Sequence, residues 1–127
     1  MIDAHLYKFL TKAPEIRALV GRRVYPMRLP QGEVRDSIVY EIGDDYPDIW
    51  MGSLSSIVRH YVTLNTYSST NDGMRKLSGL LKKTFQRYSG DLGGITVVSS
   101  GIQLSINEYE ADEKLYRNIL SIHIKTH

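Results

Sequence analysis

Apolar residues recur at three- and four-residue spacing at the start of the chain: Ile2, Leu6, Phe9, Leu10 and Ala13. That spacing follows the turn of an α-helix, and Asp3 stands where a carboxylate favours a helix start. Pro14 breaks or restarts the helix, because proline is tolerated in a first turn but not in an interior. Ile16, Leu19 and Val20 continue the stripe, and Gly21 stops it. From Arg23 the period changes. Val24 and Tyr25 form a short extended piece closed by Pro26, and Leu29, Pro30, Gln31 and Gly32 read as a loop. Ile38, Tyr40 and Ile42 then alternate with Val39 and Glu41, which is strand periodicity.

Residues 44–56 are rich in turn formers and read as a loop between strands. A long strand follows, with Val58, His60, Val62, Leu64 and Thr66 on one face and Arg59, Tyr61, Thr63, Asn65 and Tyr67 on the other. The polar cluster 68–72 supplies turn and N-cap chemistry for a second main helix, predicted to run to about Tyr88 with a core stripe of Met74, Leu77, Leu81, Phe85 and Tyr88. Gly90, Gly93 and Gly94 end it. Two or three strands close the chain, around Ile95, Val97 and Val98, then Ile102, Leu104 and Ile106, then Leu120, Ile122 and Ile124. An acidic connection, 108–113, separates the last two.

The order α–β–β–β–α–β–β predicts an α+β fold: an antiparallel or mixed sheet flanked by two main helices. The passage from Leu64 to Ile102 is expected to be a crossover, right-handed if its strands are parallel. With 127 residues the chain fits one domain spanning 1–127.

Composition narrows the chemistry. No cysteine is present, which excludes disulfides, zinc ribbons, thiol catalysis and thiol-linked haem, and leans towards an intracellular origin. No apolar stretch approaches the roughly 20 residues that cross a bilayer, and Asp3, His5 and Lys8 interrupt the N-terminal pattern, unlike a signal peptide; no membrane partner is expected. The 16 basic and 14 acidic residues leave a net charge of +2, too balanced for a dedicated nucleic-acid binder.

No serine stands in a Gly-x-Ser-x-Gly elbow, and Ser99, Ser100 and Gly101 read as a strand bend or bulge. No pair among His5, His60, His123 and His127 has helical metal-site spacing. His60 and His123 would meet only across neighbouring strands, and two half-buried strand residues are the ordinary reading. Asp44, Asp45 and Asp48 lack the alternation of a calcium loop and read as a solvated turn. The glycines around Asp91 precede a strand rather than the helix a phosphate loop needs. The chain is therefore expected to have no catalytic residues, no cofactor and no metal.

Two features stand out instead. Between Gly73 and Gly90 there are five basic residues (Arg75, Lys76, Lys82, Lys83 and Arg87) and no acidic one. At about 100° per residue, Arg75, Lys82, Lys83 and Arg87 fall opposite the apolar stripe. A solvated face is the usual meaning of such a pattern, yet this one forgoes i,i+4 ion pairs and calls for an acidic partner: nucleic acid, or Glu108, Glu110, Asp112 and Glu113 on a second copy. The second feature is the run Tyr46, Pro47, Asp48, Ile49, Trp50, Met51 and Gly52, which holds the one tryptophan. Large apolar groups on a loop either fold back onto the core or face another protein, so Tyr46, Ile49, Trp50 and Met51 are candidate oligomer contacts.

A helix ending at Gly21, followed by Arg23, Val24, Tyr25 and Pro26, is the most distinctive run in the chain. With it go Leu29-Pro30-Gln31-Gly32, the strand Ser37-Ile38-Val39-Tyr40, the strand Val62 to Tyr67 leading into a helix, and Leu115-Tyr116-Arg117 before the last strand. In this order they resemble the tail completion proteins of long-tailed bacteriophages and prophages, related in fold to the tail terminator of phage lambda. The likeness spans nearly the whole chain, except that residues 44–56 depart from a generic connection and inherit no family role. It implies a structural virion protein: a homo-oligomeric ring, hexameric, that caps the tail tube and joins it to the head. Implied partners are the tail tube protein and a head-completion or connector protein, with non-specific DNA contact in the lumen. Another neck component, or a small nucleic-acid-binding module using Tyr61 and Tyr67, are the competing readings.

Overall fold

The first helices form where the apolar period placed them. The computed structural model describes residues 2–50 and 53–126, and of these the side chains of 44–56 are left aside. Helix α1 (Ile2–Lys12) buries Ile2, Leu6 and Leu10, and α2 (Pro14–Val20) buries Ile16 and Val20. Pro14 opens α2 at a position whose missing N–H costs nothing, and Gly21 closes it at φ 58°, a left-handed conformation that glycine adopts without a Cβ penalty. Thus proline produces two helices from one stripe. The described residues hold three helices rather than the two expected.

The remaining elements are β1 (Val24–Pro26), β2 (Ser37–Trp50), β3 (Ser53–Ser68), α3 (Asn71–Phe85), β4 (Gly90–Leu92), β5 (Ile95–Glu110) and β6 (Leu115–Thr126). They build a six-stranded mixed sheet in the order β1-β2-β3-β6-β5-β4, in which only β1 and β2 run parallel. Strands β3 and β5 are parallel to each other with β6 inserted between them, so the passage through α3 skips one strand.

Three expectations need correction. Residues 44–50 and 53–56 are not a loop: their backbone continues β2 and β3, pairing Tyr46 with Arg59, Pro47 with Val58, Ile49 with Leu54 and Trp50 with Ser53. Their turn formers are tolerated because β1 accompanies β2 only as far as Tyr40, and an edge accepts proline and bulges. Register shifts between Ile42 and Asp45 and between Pro47 and Ile49 absorb the misfit. Next, the pieces around Val97 and Leu104 are one strand, β5, carrying two such shifts; the bulge expected near Ser99 is the first. Finally, Gly93 and Gly94 do not merely stop a helix. With φ of 58° and 105° they make the two-residue turn joining β4 to β5, a connection that requires positive φ.

All three helices cover the same face of the sheet. Leu6, Ile16, Leu77, Leu81 and Phe85 meet Ile38, Val62, Leu64, Leu120, Ile122 and Ile124 in one apolar cluster. Each large side chain buried there contributes about 1.5–3 kcal/mol. Helix α3 starts at Thr70, whose hydroxyl accepts the Gly73 N–H at 3.0 Å, the capping expected of the 68–72 cluster. It ends at Phe85, not Tyr88; Gln86 is its C-cap and Arg87 turns left-handed at φ 59°.

Candidate functional site

The two histidines on neighbouring strands, His60 and His123, stand on opposite faces of the sheet. His60 lies across from Ile124, while His123 lies across from Tyr61, one residue out of phase. An offset of one flips a side chain to the other face. His60 is buried with its Nε2 2.8 Å from Thr126 Oγ1, whereas the His123 ring lies over Gly101, the residue paired with it on β5. Burial first, then the charges of Arg59 and Lys125, push the His123 pKa below its ordinary value. Among the described residues no group of three or more acids, histidines or cysteines is placed to hold a metal ion.

The sheet face away from the helices carries a polar network at one end. Arg117 donates to Asn65 Oδ1 from Nε at 3.1 Å and from Nη2 at 2.8 Å, and from Nη1 to Glu110 Oε1 at 3.0 Å. Its guanidinium also stands 5.6 Å from the centre of the Tyr67 ring. The connection between β1 and β2 lies beside this network: Arg28, Leu29, Pro30 and Glu33 line one hollow with Tyr67 and Arg117. Within the connection, Glu33 takes two 2.9 Å bonds from the Arg35 guanidinium, and these hold its carboxyl at about 2. Arg23, the basic residue of the distinctive run, donates to Leu19 O at 3.1 Å and to Asp36 O at 2.9 Å, tying the end of α2 to the start of β2. Its work is structural.

Of the acidic candidates, Glu108 and Glu110 lie in β5, and Asp112 and Glu113 lie in the turn that follows. Glu110 is engaged by Arg117, which leaves Glu108, Asp112 and Glu113 as the exposed carboxylates of that end. Tyr67 is half-buried beneath Arg117, and its hydroxyl pKa is raised chiefly by burial; it is not a free platform for a base.

The basic candidates divide. Arg75, Lys76 and Lys83 are exposed on α3 and Lys82 is half-buried, and none has an ion-pair partner among the described residues. Arg87 leaves the set: beyond the end of α3, its backbone N–H bonds Ser100 O at 3.1 Å, and its side chain no longer follows the helical arc. The sequence pattern had set Lys76 aside. Packing brings it in, because α2 and α3 form a groove of about 430 Å³ whose lining includes Ala18, Leu19, Gly79, Leu80, Lys76 and Lys83. Arg75 and Lys82 fall on the other flank of α3. Only the placement of α2 distinguishes the two flanks, so no signal within the helix itself could have found the groove.

Ser100 is a second residue whose role the sequence hid. Its hydroxyl donates to Phe85 O at 2.7 Å and accepts the Tyr88 N–H at 3.0 Å, closing the C-terminal end of α3 from the first bulge of β5. Of the apolar candidates in the hairpin, Tyr46, Ile49 and Trp50 belong to β2 by backbone, and Met51 lies outside the described residues.

A family model described as tail completion protein gp17 matches residues 4–127. No curated protein matches the chain by sequence. Among solved structures, a chain of the virion of the native gene transfer agent (GTA) particle has the same fold, with a TM-score of 0.69 over 97% of this chain and 92% of that one. At 13% identity that likeness establishes fold alone.

Proposed function

We propose that this chain, which belongs to the tail completion protein gp17 family, closes a finished phage tail as a ring of identical subunits and joins it to the head or its connector. The family match over residues 4–127 carries the reading, and the charge layout says how such a ring would hold. Subunits of a ring meet through two different surfaces, and closure limits their number. A chain with net charge of only +2 supplies two such surfaces: cations without partners on α3, and the exposed Glu108, Asp112 and Glu113 at the β5–β6 end. Arg75 and Lys82 of one copy facing those carboxylates of the next would neutralise both without burying an unpaired charge.

The ring is six-membered by family resemblance, places one rim on the tail tube, and works without cofactor or chemical step. Cations left facing the lumen would touch DNA phosphates non-specifically, a contact weakened by salt. A nucleic-acid module is the weaker reading, since Tyr67, one of its two stacking residues, is committed to Arg117.

The charge contact is tested by reversing both sides. Arg75→Glu with Lys82→Glu lowers the assembled mass in light scattering, and Asp112→Lys with Glu113→Lys, mixed in equal amount, restores it. Assembly indifferent to both changes rejects this contact.

A further inference from the structure

The β2–β3 arm and the groove between α2 and α3 answer each other, and we propose that the arm of one copy seats in the groove of the next. The inference rests on the ring reading and specifies one of its contacts.

The arm needs a partner. Strand β3 has β6 beside it only as far as Val58, which pairs with Thr126, and β2 has β1 only at residues 38–40. Beyond that, the pairs Ile49–Leu54 and Trp50–Ser53 have no further strand beside them among the described residues. A two-stranded ribbon by itself is marginal in water. The ladder runs from Ser37–Tyr67 out to Trp50–Ser53, so the arm is a continuation of the β2–β3 pairing of the sheet. Its sequence over 44–56 is acidic and apolar together: Asp44, Asp45 and Asp48, with Ile49, Trp50 and Leu54, and not one lysine or arginine.

The groove has the opposite character. Its floor is Ala18, Leu19, Gly79 and Leu80, and its rim carries Lys76 and Lys83, with Glu15 as the one carboxylate. A Cβ added at Gly79 would meet nothing within 4 Å, so the middle of the groove is open. A second hollow, between α2 and Leu80 and Thr84 of α3, shares Glu15 and Leu80 and lengthens the trough towards Pro14. A segment whose sequence joins aspartates to large apolar residues suits an apolar trough rimmed by cations: burial supplies the attraction, and the charges fix the register. The surface meets the arm of a second copy through one end only, so the contact is head-to-tail, as a closed ring requires. It uses Lys76 and Lys83 and leaves the other flank of α3 free for the β5–β6 turn.

The absence of native cysteine makes the test clean. Gly79→Cys places a thiol in open space on the groove floor, and Asp48→Cys places one on the arm. The double variant, assembled on tail tubes or at high concentration and then mildly oxidised, should give a ladder of disulfide-linked species climbing to the subunit number of the ring. Either single variant should give none. Adding Lys76→Glu and Lys83→Glu should cut the linked fraction by about tenfold or more. If microscopy shows assembled rings while the double variant remains unlinked, the arm does not dock here and the ring reading survives. If no assembly forms at all, the ring reading fails and the docking falls with it.

Discussion

Replacing Ser100 with alanine removes one oxygen that bonds three backbone atoms: the Phe85 carbonyl and the Tyr88 N–H closely, and the Tyr88 carbonyl at 3.2 Å. The Phe85 carbonyl, one of the last in α3, loses a 2.7 Å bond in a buried setting, and the Tyr88 N–H loses a 3.0 Å bond in a partly buried one. An unsatisfied buried donor or acceptor costs about 1–3 kcal/mol. Water reaches the Tyr88 side in part, so the sum is about 2–4 kcal/mol rather than the full double penalty. The bond from the Arg87 N–H to the Ser100 carbonyl survives the change and keeps the loss from growing further. Urea unfolding followed by circular dichroism reads this as a lowered midpoint at unchanged slope. In thermal melts it amounts to roughly 4 °C per kcal/mol for a chain of this length. Ser99→Ala, on the other face of β5 opposite Lys125, serves as the control and should stay within about 0.5 kcal/mol. A Ser100→Ala loss below about 0.5 kcal/mol would refute the claim that this hydroxyl closes α3. The same change should loosen the helix end that carries Lys82 and Lys83, linking a buried bond to the proposed assembly surface.

Gly93→Ala should cost roughly 3 kcal/mol or more, because the new Cβ would collide with the backbone oxygen of His5 and displace α1; Gly94→Ala bears the strain of φ 105° but meets only the His5 ring at 3.6 Å and should cost less, and equal losses in chemical denaturation would count against this geometry. For His123 the folded pKa lies below the unfolded value near 6.5, so the folded state binds fewer protons and stability falls as pH drops below 6.5 towards the folded value. His123→Gln should flatten that part of the stability–pH curve, and a curve of unchanged slope would remove the ring from its assigned surroundings. Trp50→Ala should lower the assembled mass in light scattering with little change in melting temperature; an unchanged mass with a lowered melting temperature would return this side chain to the core.

The helices and inner strands were legible because their signals are local. Pro14 and Gly21 punctuate at the positions where α2 begins and ends, and the alternation from Val58 to Tyr67 survives intact in β3. The arm was misread for a physical reason: Asp44, Pro47 and Asp48 weaken a central strand but are tolerated where β2 has a single neighbour, and neighbours are set by the whole sheet. Strand β5 was divided because two bulges break its alternation while leaving its pairing to β6 continuous. Among the candidate surfaces, the unmixed basic character of α3 was visible at once. Its division into flanks was not, since a helical projection carried past Phe85 enrols Arg87 and has no knowledge of where α2 lies. The crossing of His60 and His123 onto opposite faces is a matter of one residue in register, which strand periodicity alone leaves open.

If this chain ends a tail by ringing it, negative-stain electron microscopy of tail tubes incubated with the purified chain shows the ring in place. A ring of density is expected at one end of each tube, absent from tubes alone and displaced by added salt when Arg75, Lys82 and the acidic turn hold it closed. Tubes that remain bare at every protein concentration, with no chain recovered when they are sedimented, would contradict it.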